Sequence, residues 1–213
     1  GVAAAATLLA GMAFGTGAAN AAETTVDTAA TVTFKASKEK QLTSAQLSAY
    51  KIADYVNYGT AENPVYGVKT AAGADRAKLA AALTTAGFQN VPIDGTTDLM
   101  AWAMNQKTTT DTDGTVTQVQ FDQSETRPWN NPSVTRKFAD ALQAGNPFTA
   151  AAYPFVLNKA TGNDTNGWIA TNKTVLTAGV YLFLDGNAST DTLTQAVPMI
   201  VSTGSVNAGV LSL

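Results

Sequence analysis

The segment from Val175 to Asp185 constrains the fold more than any other stretch. Within Leu176-Thr177-Ala178-Gly179-Val180-Tyr181-Leu182-Phe183-Leu184-Asp185, side chains of an extended chain alternate between two faces. Tyr181, Phe183 and Asp185 fall on one face, and Val180, Leu182 and Leu184 on the other. Both faces are apolar, so this strand must lie at the centre of a sheet with a layer packed on each side. Gly179 is expected to give a tight entry into the strand through an unusual backbone conformation.

Several shorter segments can supply the neighbours. Thr31–Ala36 alternates Val32, Phe34 and Ala36 with polar residues, Gln46–Val56 carries Tyr50 and Ile52, and Pro64–Val68 reads as a short edge strand. Later β-rich runs cover 116–121, 153–157, 168–170, 197–202 and 206–213, separated by Gly, Asn, Asp and Thr clusters. Three helices are expected between the early and late strands. Asp75 caps one that carries Leu79, Ala82, Leu83 and Ala86 and stops at Gly87. Thr97 or Asp98 starts a second through Leu99, Trp102 and Ala103. Asn131 and Pro132 open a third, with Val134, Phe138, Ala141 and Leu142 on one face and Gly145 at the end. The resulting class is mainly β (α+β), a β-sandwich with an inserted helical segment.

Composition then narrows function. There is no His and no Cys in 213 residues, which excludes a Ser-His-Asp triad, thiolate catalysis, histidine or thiolate metal sites and disulfides. A thioester adhesin, which needs a Cys, is excluded with them. Charged residues are only 14% of the chain, against about 25% in an average globular protein, so uncharged polar groups must build the surface. The net charge is −3 and Lys and Arg are scattered, which argues against a nucleic-acid partner. The four Glu (Glu23, Glu39, Glu62 and Glu125) lie in polar contexts, which disfavours a two-carboxylate glycan hydrolase. No enzyme activity and no cofactor or metal are expected.

Residues 1–22 carry no charge, run apolar through Leu8, Leu9, Met12 and Phe14, and close on Ala19-Asn20-Ala21. This is the h-region and A-x-A cleavage pattern of a secretion signal peptide that lacks its basic start, and its apolar run is too short for a spanning helix. Cleavage is expected after Ala21 or Ala22. Residues 23–30 are a polar lead-in, and 31–213 form one domain whose last strand is expected to be cut.

The order of these elements resembles the N-terminal Ig-like domain of the backbone subunit of Gram-positive, particularly actinobacterial, sortase-assembled pili. The residues that carry the resemblance are the leader, Thr33-Phe34-Lys35, Ala49-Tyr50-Lys51-Ile52-Ala53-Asp54 and Phe138-Ala139-Asp140-Ala141-Leu142. The best match is the strand Leu176–Asp185, which is similar to that family's L-x-x-G-x-Y-L-x-x-D/E pattern. The resemblance implies a CnaB-type sandwich, a secreted, cell-wall location, a sortase, and identical pilin subunits joined in a covalent polymer that supports adhesion to host surfaces. It also nominates Lys35, Asp185 and Asn207 as amine, promoting acid and acceptor of an internal isopeptide bond. Asn207 shares parity with Leu211 and Leu213, which favours an inward position. Lys35, however, lies opposite in parity to Val32, Phe34 and Ala36, so the cross-link is expected to be absent unless a β-bulge near Thr33 or Phe34 reverses the phase.

No L-P-x-T-G signal and no Y-P-K-N lysine occur, and Lys159 in Tyr153–Lys159 reads as a loop lysine. Asp111-Thr112-Asp113-Gly114 matches part of a calcium loop but lacks the later Glu, so it reads as a solvated turn. The alternative function is an adhesin that binds host glycan or matrix protein through Trp102, Trp129 and Trp168.

Overall fold

The computed structural model describes residues 2–4, 23–122, 133–188 and 195–213. It is mainly β with several antiparallel sheets. In chain order the strands are β1 Val2–Ala4, β2 Thr24–Thr25, β3 Ala29–Ala30, β4 Thr33–Ala36, β5 Leu47–Asn57, β6 Tyr66–Thr70, β7 Thr109–Thr110 and β8 Val116–Gln118. They continue with β9 Ala150–Phe155, β10 Thr161–Asn163, β11 Gly167–Thr171, β12 Leu176–Thr177, β13 Gly179–Asp185, β14 Met199–Ser202, β15 Ser205–Asn207 and β16 Val210–Ser212. The helices are α1 Glu39–Thr43, α2 Arg76–Ala86, α3 Leu99–Met104 and α4 Val134–Gly145.

β13 lies antiparallel between β5 and β14. The other edge of β5 is shared, with β9 pairing along its first half and β6 along its second. Val180 and Leu182 enter one core with Ile52, Tyr55 and the helical residues Leu79, Leu83, Met100, Phe138 and Leu142. Tyr181 and Phe183 enter another with Phe34, Leu47, Phe155, Met199 and Val201. The second core is closed by a sheet of order β1-β4-β11-β10. The layers are therefore helices, central sheet and second sheet, as the two apolar faces of β13 require.

A β-bulge lets β5 serve both cores. Val180 pairs with Ala53 but Tyr181 pairs with Lys51, leaving Ile52 as the extra residue. Leu47 and Ala49 reach the core under the second sheet, whereas Ile52, Ala53 and Tyr55 reach the helical core. The bulge reverses the strand's phase between these two sets.

Helix ends follow local chemistry. The Asp75 side chain accepts from Lys78 N, and Gly87 ends α2 with φ of 111°. Asp98 caps α3 by accepting from Ala101 N. The cap of α4 is Ser133, which accepts from Arg136 N, and not Asn131. Asn131 and Pro132 lie outside the described residues. The run 206–213, expected as one strand, is a hairpin turning at Ala208 and Gly209, both with positive φ.

Three rings form the centre of the core under the second sheet. Phe34, Phe155 and Phe183 have ring centroids 5.0–5.9 Å apart and are buried. Phe183→Ala is expected to lower unfolding free energy by ~3–5 kcal/mol, measured from the urea midpoint with the slope unchanged.

Tyr55 joins β5 to the β14–β15 connection. Its Oη donates to Gly204 O at 2.5 Å and lies 2.5 Å from Ser202 Oγ. Burial pushes this phenol up to about 12, against the lowering effect of the Ser202 and Gly204 contacts. The neutral form is the native one, so its contribution is complete below the ordinary value of 10.0 and is lost as pH rises towards 12. Tyr55→Phe should be less stable at pH 8, yet its stability should fall less between pH 10 and 12. Urea titrations across that range check this, and half-exposed Tyr58, also raised to about 12, contributes equally to both proteins.

Candidate functional site

Lys35, Asp185 and Asn207 occupy three different sheets. The pairing of β4 with β11 is unbroken from Thr33 to Ala36, so no bulge reverses its phase. Phe34 and Ala36 are buried and Lys35 is exposed. Asn207 is exposed as well, because the Ala208–Gly209 turn interrupts the alternation that linked it to Leu211 and Leu213.

Asp185 is 5% exposed and its oxygens are used locally. Oδ1 accepts from Gln46 N and Asn187 N, and Oδ2 from Ala196 N. These bonds tie the end of β13 to the start of β5 and to the segment before β14. No hydrogen bond joins Asp185 to Lys35 or Asn207, and the nominated trio is not assembled.

The structure brings a different lysine into a semi-enclosed setting. Lys51 Nζ is 2.5 Å from Asp54 Oδ1, with side-chain exposures of 18% and 23%. It also donates to Thr177 Oγ1 at 2.8 Å and stands 5.8 Å from the Tyr181 ring centroid. On a regular strand, residues three apart point to opposite faces. The extra residue Ile52 puts Lys51 and Asp54 on the same face, so this cluster is a product of the bulge. Chemically it is an ion pair that clamps the irregular part of β5 to β12 and β13. Spacing alone did not reveal it, since the bulge has no sequence mark of its own.

Gly179 belongs to the same arrangement. Its φ is not in the left-handed region, contrary to the sequence expectation. A Cβ there would sit 2.6 Å from Ala53 O and 2.7 Å from Lys51 Cε, so glycine is needed for the close approach of the β5 backbone, and the Lys51 stem crowds the same space. Asn172 also lacked a sequence signal: its amide accepts from Val32 N at 2.7 Å and donates to Ala30 O and Thr174 O. It anchors the entry to β4.

Trp102 is half-buried against Phe88, and Trp168 packs on the core under the second sheet while Nε1 donates to Asp164. Trp129 lies outside the described residues. Trp102 and Trp168 therefore belong to different cores and share no face. Lys159 is exposed and outside any strand. Asp111–Gly114 forms the β7–β8 turn, in which Asp113 accepts from Thr115 N.

Among the described residues, two surface recesses can be examined as ligand sites. One, of about 140 Å³, is lined by Thr70, Arg76, Leu79 and Asp98, but Asp98 is engaged by Thr70 and Ala101, and Arg76 by Thr97 O. The other is an open groove of about 360 Å³ beside Lys35, Ser37, Gly167 and Ile169. Among the described residues, no group of three or more His, Cys, Asp or Glu is placed to hold a metal, and no helix is long and apolar enough to cross a membrane. No family model, curated protein or solved structure matches the chain.

Gly179→Ala should cost ~1–3 kcal/mol through overpacking. In a Lys51→Ala background the loss should shrink without vanishing, because the Ala53 carbonyl still obstructs the new methyl group. A double-mutant cycle of urea midpoints measures the coupling.

Proposed function

We propose that this chain is the N-terminal Ig-like, CnaB-type module of a structural pilus subunit, exported and held at the cell wall, and joined by a sortase to identical copies. The observation that carries the reading is the doubly covered strand Gly179–Asp185 at the centre of the three layers. It is the segment that most resembles the backbone-pilin pattern, and its two faces carry the packing of the whole module.

The polar groups support a structural role. Asp75, Asp98, Asp185 and Asn172 are used for helix caps and strand junctions. Lys51 and Asp54 satisfy each other. Exposed Tyr153, Val156, Ile169 and Val175 leave apolar surface suited to neighbouring subunits. The adhesin alternative has less support, because Trp102 and Trp168 are engaged in packing on separate cores.

Cell-wall extracts of the producing bacterium test the reading. An antibody to this domain should detect a ladder of detergent-resistant, high-mass species that collapses to one band when the sortase is deleted. A single band in both strains would overturn it.

A further inference from the structure

Asn166-Gly167 is the one Asn-Gly step in the 213-residue chain. It falls in the turn between β10 and β11, where Asn166 is exposed and Gly167 opens β11 with φ of 88°. The neighbouring side chains fix this turn. Asn163 Oδ1 accepts from Thr165 N at 3.0 Å and from Asn166 N at 2.8 Å. Asp164 accepts from Lys38 Nζ at 2.8 Å and from Trp168 Nε1 at 2.9 Å. The side-chain amide of Asn166 takes no part, since among the described residues nothing is hydrogen-bonded to it. The amides of Asn57, Asn158, Asn172 and Asn187, by contrast, are each held by hydrogen bonds. The three Asp-Gly steps are less reactive for other reasons. Asp94 and Asp185 each accept several hydrogen bonds, and Asp113, like them, presents a carboxylate, which is a poor electrophile when ionised.

We propose that Asn166 is a site of spontaneous covalent modification, in which the Gly167 amide nitrogen closes on the Asn166 side chain to give a succinimide and then aspartate or isoaspartate. Hydroxide takes the proton of Gly167 N, and the nitrogen attacks Asn166 Cγ. The new N–Cγ bond forms as the Cγ–Nδ2 bond breaks, and Nδ2 leaves as ammonia with a proton from water. Water then opens the ring at Cγ to give aspartate, or at the main-chain carbonyl to give isoaspartate. No oxidant or reductant is needed. Gly167 suits the attack because no Cβ shields its nitrogen and its backbone has the widest conformational range. It also lies at the end of the β10–β11 ladder, where local opening costs least. The product has a local consequence. Asn166 lines the same groove as Lys35, so the reaction adds a carboxylate to a surface that carried a cation and neutral groups. Isoaspartate also lengthens the main chain inside the turn that holds Asp164 against Lys38 and Trp168. The chemistry stands apart from the pilus reading, and its test uses the purified chain alone.

The folded chain, incubated in mildly alkaline buffer and mapped by tandem mass spectrometry, should gain at residue 166 the mass of an amide exchanged for an acid. An isoaspartyl methyltransferase should label the same peptide. Conversion there should outpace that at exposed Asn207, whose next residue is Ala208, and at the three Asp-Gly steps by more than about tenfold. It should also run within about tenfold of its rate in the urea-unfolded chain, because an exposed turn opens at little cost. Asn166→Gln, whose longer side chain would have to close a six-membered ring, should abolish the signal with the urea midpoint unchanged. Faster conversion at another position overturns the proposal, as does native protection greater than about tenfold over the unfolded chain. Acid at residue 166 without isoaspartate, the mark of direct hydrolysis, also overturns it, and so does labelling of this peptide that persists in Asn166→Gln.

Discussion

The pairing of β5 with β13 is the constraint on which the other layers depend. Each strand sends large apolar side chains to both sides, so neither face can meet water without exposing several of them. Helices α2, α3 and α4 cover one face, and the sheet containing β4 and β11 covers the other. Stability is consequently concentrated where sequence-distant segments meet. Phe34, Phe155 and Phe183 come from strands far apart in the chain and touch only after the sheets have closed.

Polar groups work at the junctions between these layers. Asp185 binds three backbone N–H groups at the point where β13 leaves the sheet, and Asn172 does a comparable job where the chain enters β4. Tyr55 reaches from the helical core to the carbonyl of Gly204. Such groups would be costly if left unpaired, and each is placed where regular ladder bonding stops. Few charges are needed because side-chain and backbone amides, hydroxyls and carboxylates supply these connections.

The sequence revealed those features that depend on short-range periodicity. The two faces of Gly179–Asp185, the outward position of Lys35, and the caps Asp75 and Gly87 follow from alternation or from one turn of helix, and the structure has them. Features that depend on a partner strand were hidden. Ile52 is an extra residue only relative to β13, so the proximity of Lys51 and Asp54 could not be read from β5 itself. Asn207 was misplaced for a related reason: parity holds only along an uninterrupted strand, and Ala208 and Gly209 interrupt it. The burial of Asp185 was hidden too, because it comes from Gln46 and Ala196, distant in sequence, whose backbone N–H groups donate to its carboxylate. The Gly179 requirement was seen, but its cause is the Ala53 carbonyl and the Lys51 stem of the neighbouring strand, which no local pattern contains.

The bulge at Ile52 also bears on how such a chain can change by descent. Substitutions in β5 can be absorbed one position at a time, since each side chain faces a defined core. A change of length cannot, because losing or gaining one residue near Ile52 would exchange the faces of everything on one side of it, moving Tyr55 away from Ser202 or Leu47 away from Phe183. Lineages derived from this architecture should therefore vary in the composition of β5 while keeping its residue count.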